Sequence, residues 1–153
     1  MDRIDALIVD ALQKNARLSN KELASIIDLA PSSCHTRVRR LVAEGVLTGF
    51  HAEVSREAMG VGLEALLFVR LGQHSRPIVD AFQTYTHGLR QVIEVIHIAG
   101  AVDFVVRVAV PDANSLRDLV VDAFADRDEV AQIETSLIFD STRRSSCPNY
   151  QRS

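Results

Sequence analysis

The stretch SNKELASIIDLAPSSCHTRVRRLVAEG, Ser19 to Gly45, decides the fold of the N-terminal part of this chain. Ser19 followed three residues later by Glu22 is a capping-box pattern, in which each side chain bonds the other residue's backbone N–H, so a helix begins here. Leu23, Ile26 and Ile27 give that helix one apolar face. Pro31 is tolerated in the first turn of a helix and not in its interior, so the next helix begins at Pro31. It runs to about Glu44, where Gly45 supplies the stop. Upstream, Ile4, Leu7, Ile8 and Leu12 recur at helical spacing and predict a first helix with one buried face. Three short helices, with only a few residues between the second and third, outline a helix-turn-helix.

At 100° per residue, Cys34, Val38 and Leu41 share one face of the third helix, with Val42 beside it. That face is predicted to pack on the first two helices, with Cys34 as a small core residue. Ser32, Ser33, Thr36, Arg39 and Arg40 point away or to the side. Small hydroxyls let a helix enter a groove, and arginines bond guanine edges or neutralise phosphates. Between Leu29 and Ala43 there are three arginines and no acid, although residues 1–54 as a whole carry seven basic and seven acidic side chains. The half is neutral but polarised, as phosphate contact requires. Arg37 lies nearer the packed side, so an ion pair and a phosphate contact both remain open for it. Arg40→Ala is expected to weaken DNA binding and lower its salt dependence. Lys21, with Asn20, could clamp a phosphate from the start of the second helix, whereas His35 reads as an exposed spectator.

Val46 to Thr48 and Phe50 to Val54 flank Gly49 and read as two short strands, a wing on which His51 could reach phosphate or the minor groove. Residues 55–63 contain two glycines and read as a linker. Beyond them strands and helices alternate: a strand over 64–71, a helix from Pro77 to about Tyr85, strands over 92–98 and 103–110, a helix over 113–124 and a strand over 131–139. The order β-α-β-β-α-β is the split, ferredoxin-like arrangement. The fold class is therefore α+β, with a winged helix-turn-helix over 1–54, a linker over 55–63, a ferredoxin-like domain over 64–140 and a polar, mobile tail over 141–153.

In the first strand of that domain Leu67, Val69 and Leu71 alternate with Leu66 and Phe68; in the third, Phe104, Val106, Val108 and Val110 alternate with Val105 and Ala109. Helices cover one face of such a sheet, so the other apolar face calls for a second copy of the chain. A two-fold dimer would also suit a pseudo-palindromic site.

The chain resembles the Lrp/AsnC (feast/famine) transcription regulators over nearly its full length. The resemblance lies in Ile4 to Gln13, Asn15-Ala16-Arg17, Glu22-Leu23-Ala24, Arg37 to Leu41 with Glu44 to Phe50, and the Gly-x-x-Asp turn from Gly100 to Asp103. It implies a winged helix-turn-helix followed by an effector and oligomerisation domain, with dimers that assemble further to tetramers or octamers. It also implies an amino-acid effector bound between dimers near that turn, at Gly100, Ala101 and Asp103, with Thr135 on the last strand facing them. Exposed amides at a glycine turn suit a carboxylate, and Asp103 suits an ammonium group. Two positions depart from the family pattern: Ala30 stands where a capping serine is common, and the turn reads Gly-Ala-Val-Asp.

No catalytic residues, cofactor or metal are expected. His74, His87 and His97 are scattered and lack ligand spacing, and no phosphate loop or nucleophile–base arrangement is legible. A sensing module with a vestigial helix-turn-helix is the other reading, opposed by the acid-free third helix. No segment is long and apolar enough for a membrane span, the N-terminus is not of signal-peptide type, and the unpaired Cys34 and Cys147 suit a reduced cytoplasm; the expected location is cytoplasmic, on the nucleoid.

Overall fold

The first helix is capped by a pair the sequence pattern conceals. The Asp2 carboxylate accepts from the Asp5 backbone N–H at 2.8 Å, and Asp5 in turn accepts from the Asp2 N–H at 2.9 Å. This reciprocal clasp opens α1, Arg3–Lys14. Ser19 and Glu22 form the expected capping box before α2, Asn20–Ile26. The turn that follows places Asp28 at φ 53°, a left-handed conformation that a helix stop requires and that aspartate tolerates. The Leu29 N–H then reaches back to the Ala24 carbonyl at 2.9 Å. Helix α3 spans Pro31–Ala43, and Ala30 offers its N-terminus no side-chain cap.

The computed structural model describes residues 1–144 and 146–150. They divide into two compact units, one of Met1–Glu53 with the chain from Thr142 onward, the other of Val54–Ser141. In the first unit Ile8, Leu12, Leu23, Ala24, Ile27, Cys34 and Leu41 form the core, with Val38 packed against it. Val42 departs from expectation and is 47% exposed. It lies a further 100° round α3 from Leu41, beyond the helices that cover the buried stripe.

The two strands expected over 46–54 do not form. Gly45 adopts φ 69°, and the N–H groups of Val46 and Leu47 both return to the Leu41 carbonyl, at 2.9 and 3.1 Å. Those donors close α3 and are unavailable to a ladder. A hairpin also needs about two loop residues, and a lone two-stranded ribbon is marginal. The segment therefore continues as irregular chain, and the linker that follows contains a short 3₁₀ turn, Glu57–Met59. Of the tail, Ser145 and residues 151–153 lie outside the described residues. The described part is not without a partner: the Cys147 N–H donates to Gln13 Oε1 at 2.7 Å.

The second unit is a four-stranded antiparallel sheet in the order β2-β3-β1-β4. Its elements are β1 Leu63–Leu71, α4 Arg76–His87, β2 Val92–His97, β3 Phe104–Val110, α5 Ala113–Val120 and β4 Val130–Leu137. Strand register puts Ala65, Leu67 and Val69 beside Val108, Val106 and Phe104. These side chains pack on Phe82 of α4 and on Leu116 and Leu119 of α5. The continuous helix expected to Phe124 instead widens after Val120 into a π-helical turn, Val121–Ala125. The turn carries a buried Phe124 toward Phe82, with ring centroids 6.3 Å apart.

The opposite face of the sheet has no helix of this unit on it. Leu66, Phe68, Val105 and Ala109 are half-buried there and Ile96 is exposed. At its margin Glu64 accepts from Arg107 Nε at 2.9 Å and from Arg56. Burial opposes the Glu64 charge, but the guanidinium hydrogen bonds outweigh it and hold the carboxyl below its ordinary range.

Candidate nucleic-acid interface and effector turn

Helix α3 is held by its apolar stripe and by polar contacts at both ends. Cys34 and Leu41 are fully buried, and burial pushes the Cys34 thiol up, away from a reactive thiolate. The Asn20 side-chain amide donates to the Pro31 carbonyl at 2.8 Å, fixing the start of α3 to the start of α2. From α1, the nearly inaccessible Asp5 receives Arg37 at 2.8 Å and Arg40 at 2.6 Å. Arg37 also meets Asp2 at 2.6 Å, and Arg40 lies 3.8 Å from Glu44. The Asp5 backbone N–H and the Arg37 guanidinium hold the Asp2 carboxyl at about 2, and Arg37 is raised in turn by Asp2 and Asp5.

These pairings sort the arginines. The ion-pair role left open for Arg37 is the one the structure displays. Arg40, expected to be a DNA contact, also binds Asp5 because its position on the last turn of α3 brings it over α1, and its side chain stays 46% exposed. Arg39 is exposed and makes no ion pair among the described residues. Ser32, Ser33 and Thr36 are exposed on the first half of the helix, the Thr36 hydroxyl donating to the Ser32 carbonyl at 3.0 Å. With Leu29, Arg37 and Arg40 they line one shallow concavity. His35 is exposed, as expected. Lys21 is exposed on α2, but the Asn20 amide is already engaged with Pro31. His51 is exposed on the irregular segment and its ring lies over Gly49, where a Cβ would collide with it.

At the other predicted site, Gly100 has φ 156°. The backbone N–H groups of Gly100 and Ala101 donate to nothing among the described residues. Asp103 anchors the end of this turn: its backbone N–H donates to the Val69 carbonyl and its Oδ2 accepts from the Leu71 N–H at 2.7 Å. Its Oδ1 is 2.9 Å from His74 Nε2. Thr135 does not face this group within one chain. It pairs with Leu67, and β1 stands between its strand and β3.

Comparison with known proteins agrees with this arrangement. A winged helix-turn-helix DNA-binding model matches residues 1–48, and an Lrp/AsnC ligand binding domain model matches residues 64–146. The HTH-type transcriptional regulator AldR of Mycolicibacterium smegmatis is 39% identical over 146 residues, covering 95% of this chain and 85% of that protein. The chain belongs to the Lrp/AsnC family. Among solved members, MtbAldR is 34% identical with a TM-score of 0.83, covering 97% of each chain. A transcriptional regulator of Neisseria meningitidis in complex with L-Met is 25% identical with a TM-score of 0.89, covering 97% of this chain and 96% of that one.

As an Lrp/AsnC protein, the chain is a helix-turn-helix transcriptional regulator with a C-terminal ligand-binding domain. None of its described helices is long and apolar enough to cross a membrane, and no group of three His, Cys, Asp or Glu among the described residues is placed to hold a metal. Sequence reasoning missed two residues of these sites. Asp5 carried a signal: it shares the helical stripe of Ile8 and Leu12, where an acid needs a partner, and the acid-free third helix could supply one. His74 carried none, since nothing in its spacing relates it to Asp103.

Proposed function

We propose that this regulator binds double-stranded DNA by entering the major groove with the outer face of α3, as a homodimer on a pseudo-palindromic operator. Residues 1–54 would carry this task, with Ser32, Ser33, Thr36 and Arg39 toward the bases or phosphates and Lys21 and His51 at the margin. Arg37 and Arg40 hold the helix through Asp5 and contribute charge beside the hydroxyls, in the concavity they share with them. The observation that carries the reading is that the exposed side of α3 bears hydroxyls and an unpaired arginine while Cys34 and Leu41 hold its other side in the core. Phosphate neutralisation releases counterions, so affinity for the chain's own upstream DNA should fall linearly on a log–log plot against salt. Affinity that is low and indifferent to salt would contradict it.

The bare sheet face supports the dimer. Leu66, Phe68, Val105, Ala109 and Ile96 form a row of apolar side chains of the kind that a soluble chain buries against a partner. Sedimentation should give a dimer or a multiple of it, including tetramers and octamers, at micromolar concentration; a folded monomer would sink this part. The effector is an amino acid at the turn from Gly100 to Asp103 in the domain of residues 64–140. The unpaired N–H groups of Gly100 and Ala101 suit its carboxylate, and the Asp103 carboxylate suits its ammonium. Thr135 would have to come from a neighbouring copy, in keeping with a site between dimers. Calorimetry with the twenty amino acids tests it, and no heat with any would remove the effector.

A further inference from the structure

Asp103 already has both carboxylate oxygens engaged. Oδ2 accepts from the Leu71 N–H at 2.7 Å, a bond that joins the end of β1 to the start of β3 and is half-buried. Oδ1 is held by His74 Nε2 at 2.9 Å, and here the exposures are unequal: the His74 side chain is 60% exposed and that of Asp103 17%. The imidazole is therefore the group between the carboxylate and solvent. It stands on residues 72–75, the connection between β1 and α4, and Asp103 is its one ion-pair partner among the described residues. The neighbouring Arg76 is drawn to Asp80 at 3.6 Å instead.

We infer that His74 guards the effector site: an amino acid enters by displacing the imidazole from Asp103 Oδ1 with its own ammonium group. The inference rests on the reading of the Gly100 turn given above and adds a specificity-determining residue to it. The Leu71 bond keeps the carboxylate oriented throughout, so only Oδ1 changes partner. The incoming carboxylate then reaches the free N–H groups of Gly100 and Ala101. A ligand without an ammonium cannot replace the histidine's hydrogen bond, and it places its own negative charge beside Asp103. With the imidazole in place that repulsion is partly shielded, and without it the repulsion is felt in full. His74 thus acts as a competitor for Asp103 Oδ1, while the Leu71 N–H does the positioning.

The test is calorimetry on the full chain and on His74→Ala with four probes: L-methionine, L-leucine and the des-amino acid of each. Exposed pairs of this kind contribute modestly, so His74→Ala is expected to tighten the amino acids by about two- to fivefold. The same substitution is expected to weaken the des-amino acids, and His74→Gln, which keeps a donor, to fall between. A merely structural histidine would shift all four probes alike, and that result overturns the inference, as does weaker or unchanged binding of the amino acids by His74→Ala. Binding by the wild type with no difference in the variant discards the guard and leaves the effector turn standing. Absence of binding of any of the twenty amino acids by either protein discards both.

Discussion

The two units reach stability by different means. The sheet unit buries three phenylalanines, Phe82, Phe104 and Phe124, with Phe82 and Phe104 centroids 4.9 Å apart. Among the described residues the helical unit's core contains no aromatic side chain, only Ile8, Leu12, Leu23, Ile27 and Leu41 with the small Ala24 and Cys34. What it has instead is a polar clasp: Asp2 and Asp5 capping each other and gripping Arg37 and Arg40. A sheet can be fixed by register and apolar packing alone, because every strand is held along its length. A short helix on a small core can rotate, and charged contacts at defined positions set its angle. In this chain, fixing α3 also determines which of its arginines remains available to a ligand.

Phe82→Ala should have the largest effect, costing the sheet unit about 3–5 kcal/mol through lost burial and the cavity left behind. Urea unfolding followed by hydrogen exchange in each unit would localise the loss; an equal loss of protection in the helical unit would break the distinction. Asp5→Ala should cost the helical unit about 2–3 kcal/mol, since charge-assisted hydrogen bonds to two guanidinium groups disappear together. Little change in that unit's protection would show that its small core suffices.

Thr86 sharpens the contrast from the other side. It is fully buried in the sheet unit, and its Oγ1 has no hydrogen-bond partner among the described residues. Thr86→Val keeps the shape and removes the unsatisfied hydroxyl, so it should stabilise the protein by about 1 kcal/mol. A loss measured by thermal unfolding would mean the hydroxyl is satisfied in solution. The smallest effect is on acid response. Asp2 is depressed from an ordinary 3.8 to about 2 by the Asp5 N–H and by Arg37. A carboxyl lower in the folded state contributes stability above its unfolded value and loses it as pH falls. The helical unit should therefore weaken between about pH 4 and pH 2, and Asp2→Asn should flatten that decline; an unchanged acid profile would show that the cap does not titrate there.

Much of this was legible in the sequence because it follows from period and punctuation. The capping box at Ser19, the proline at the first turn of α3 and the stop at Gly45 each act within a few residues, and the alternation in β1 and β3 needs only a pleat. What was hidden depends on contacts between distant positions. Arg40 reads as an outward charge until α1 is placed beneath it with Asp5, 35 residues away. His74 and Asp103 are 29 positions apart and meet only because two loops emerge at the same end of the sheet. The two strands expected over 46–54 are absent for a local reason: Val46 and Leu47 carry strand-forming side chains, but their N–H groups are consumed in closing α3.

The central claim is that the paired arginines build α3 and the unpaired one contacts DNA. Fluorescence anisotropy with upstream DNA over a salt series, on Arg39→Ala and Arg40→Ala side by side, tests it most directly. Arg39→Ala should weaken binding by about tenfold and reduce the salt slope by about one, with fold stability unchanged. Arg40→Ala should reduce stability more than it reduces affinity. Wild-type affinity and slope in Arg39→Ala, with binding lost in a stable Arg40→Ala, would contradict the account.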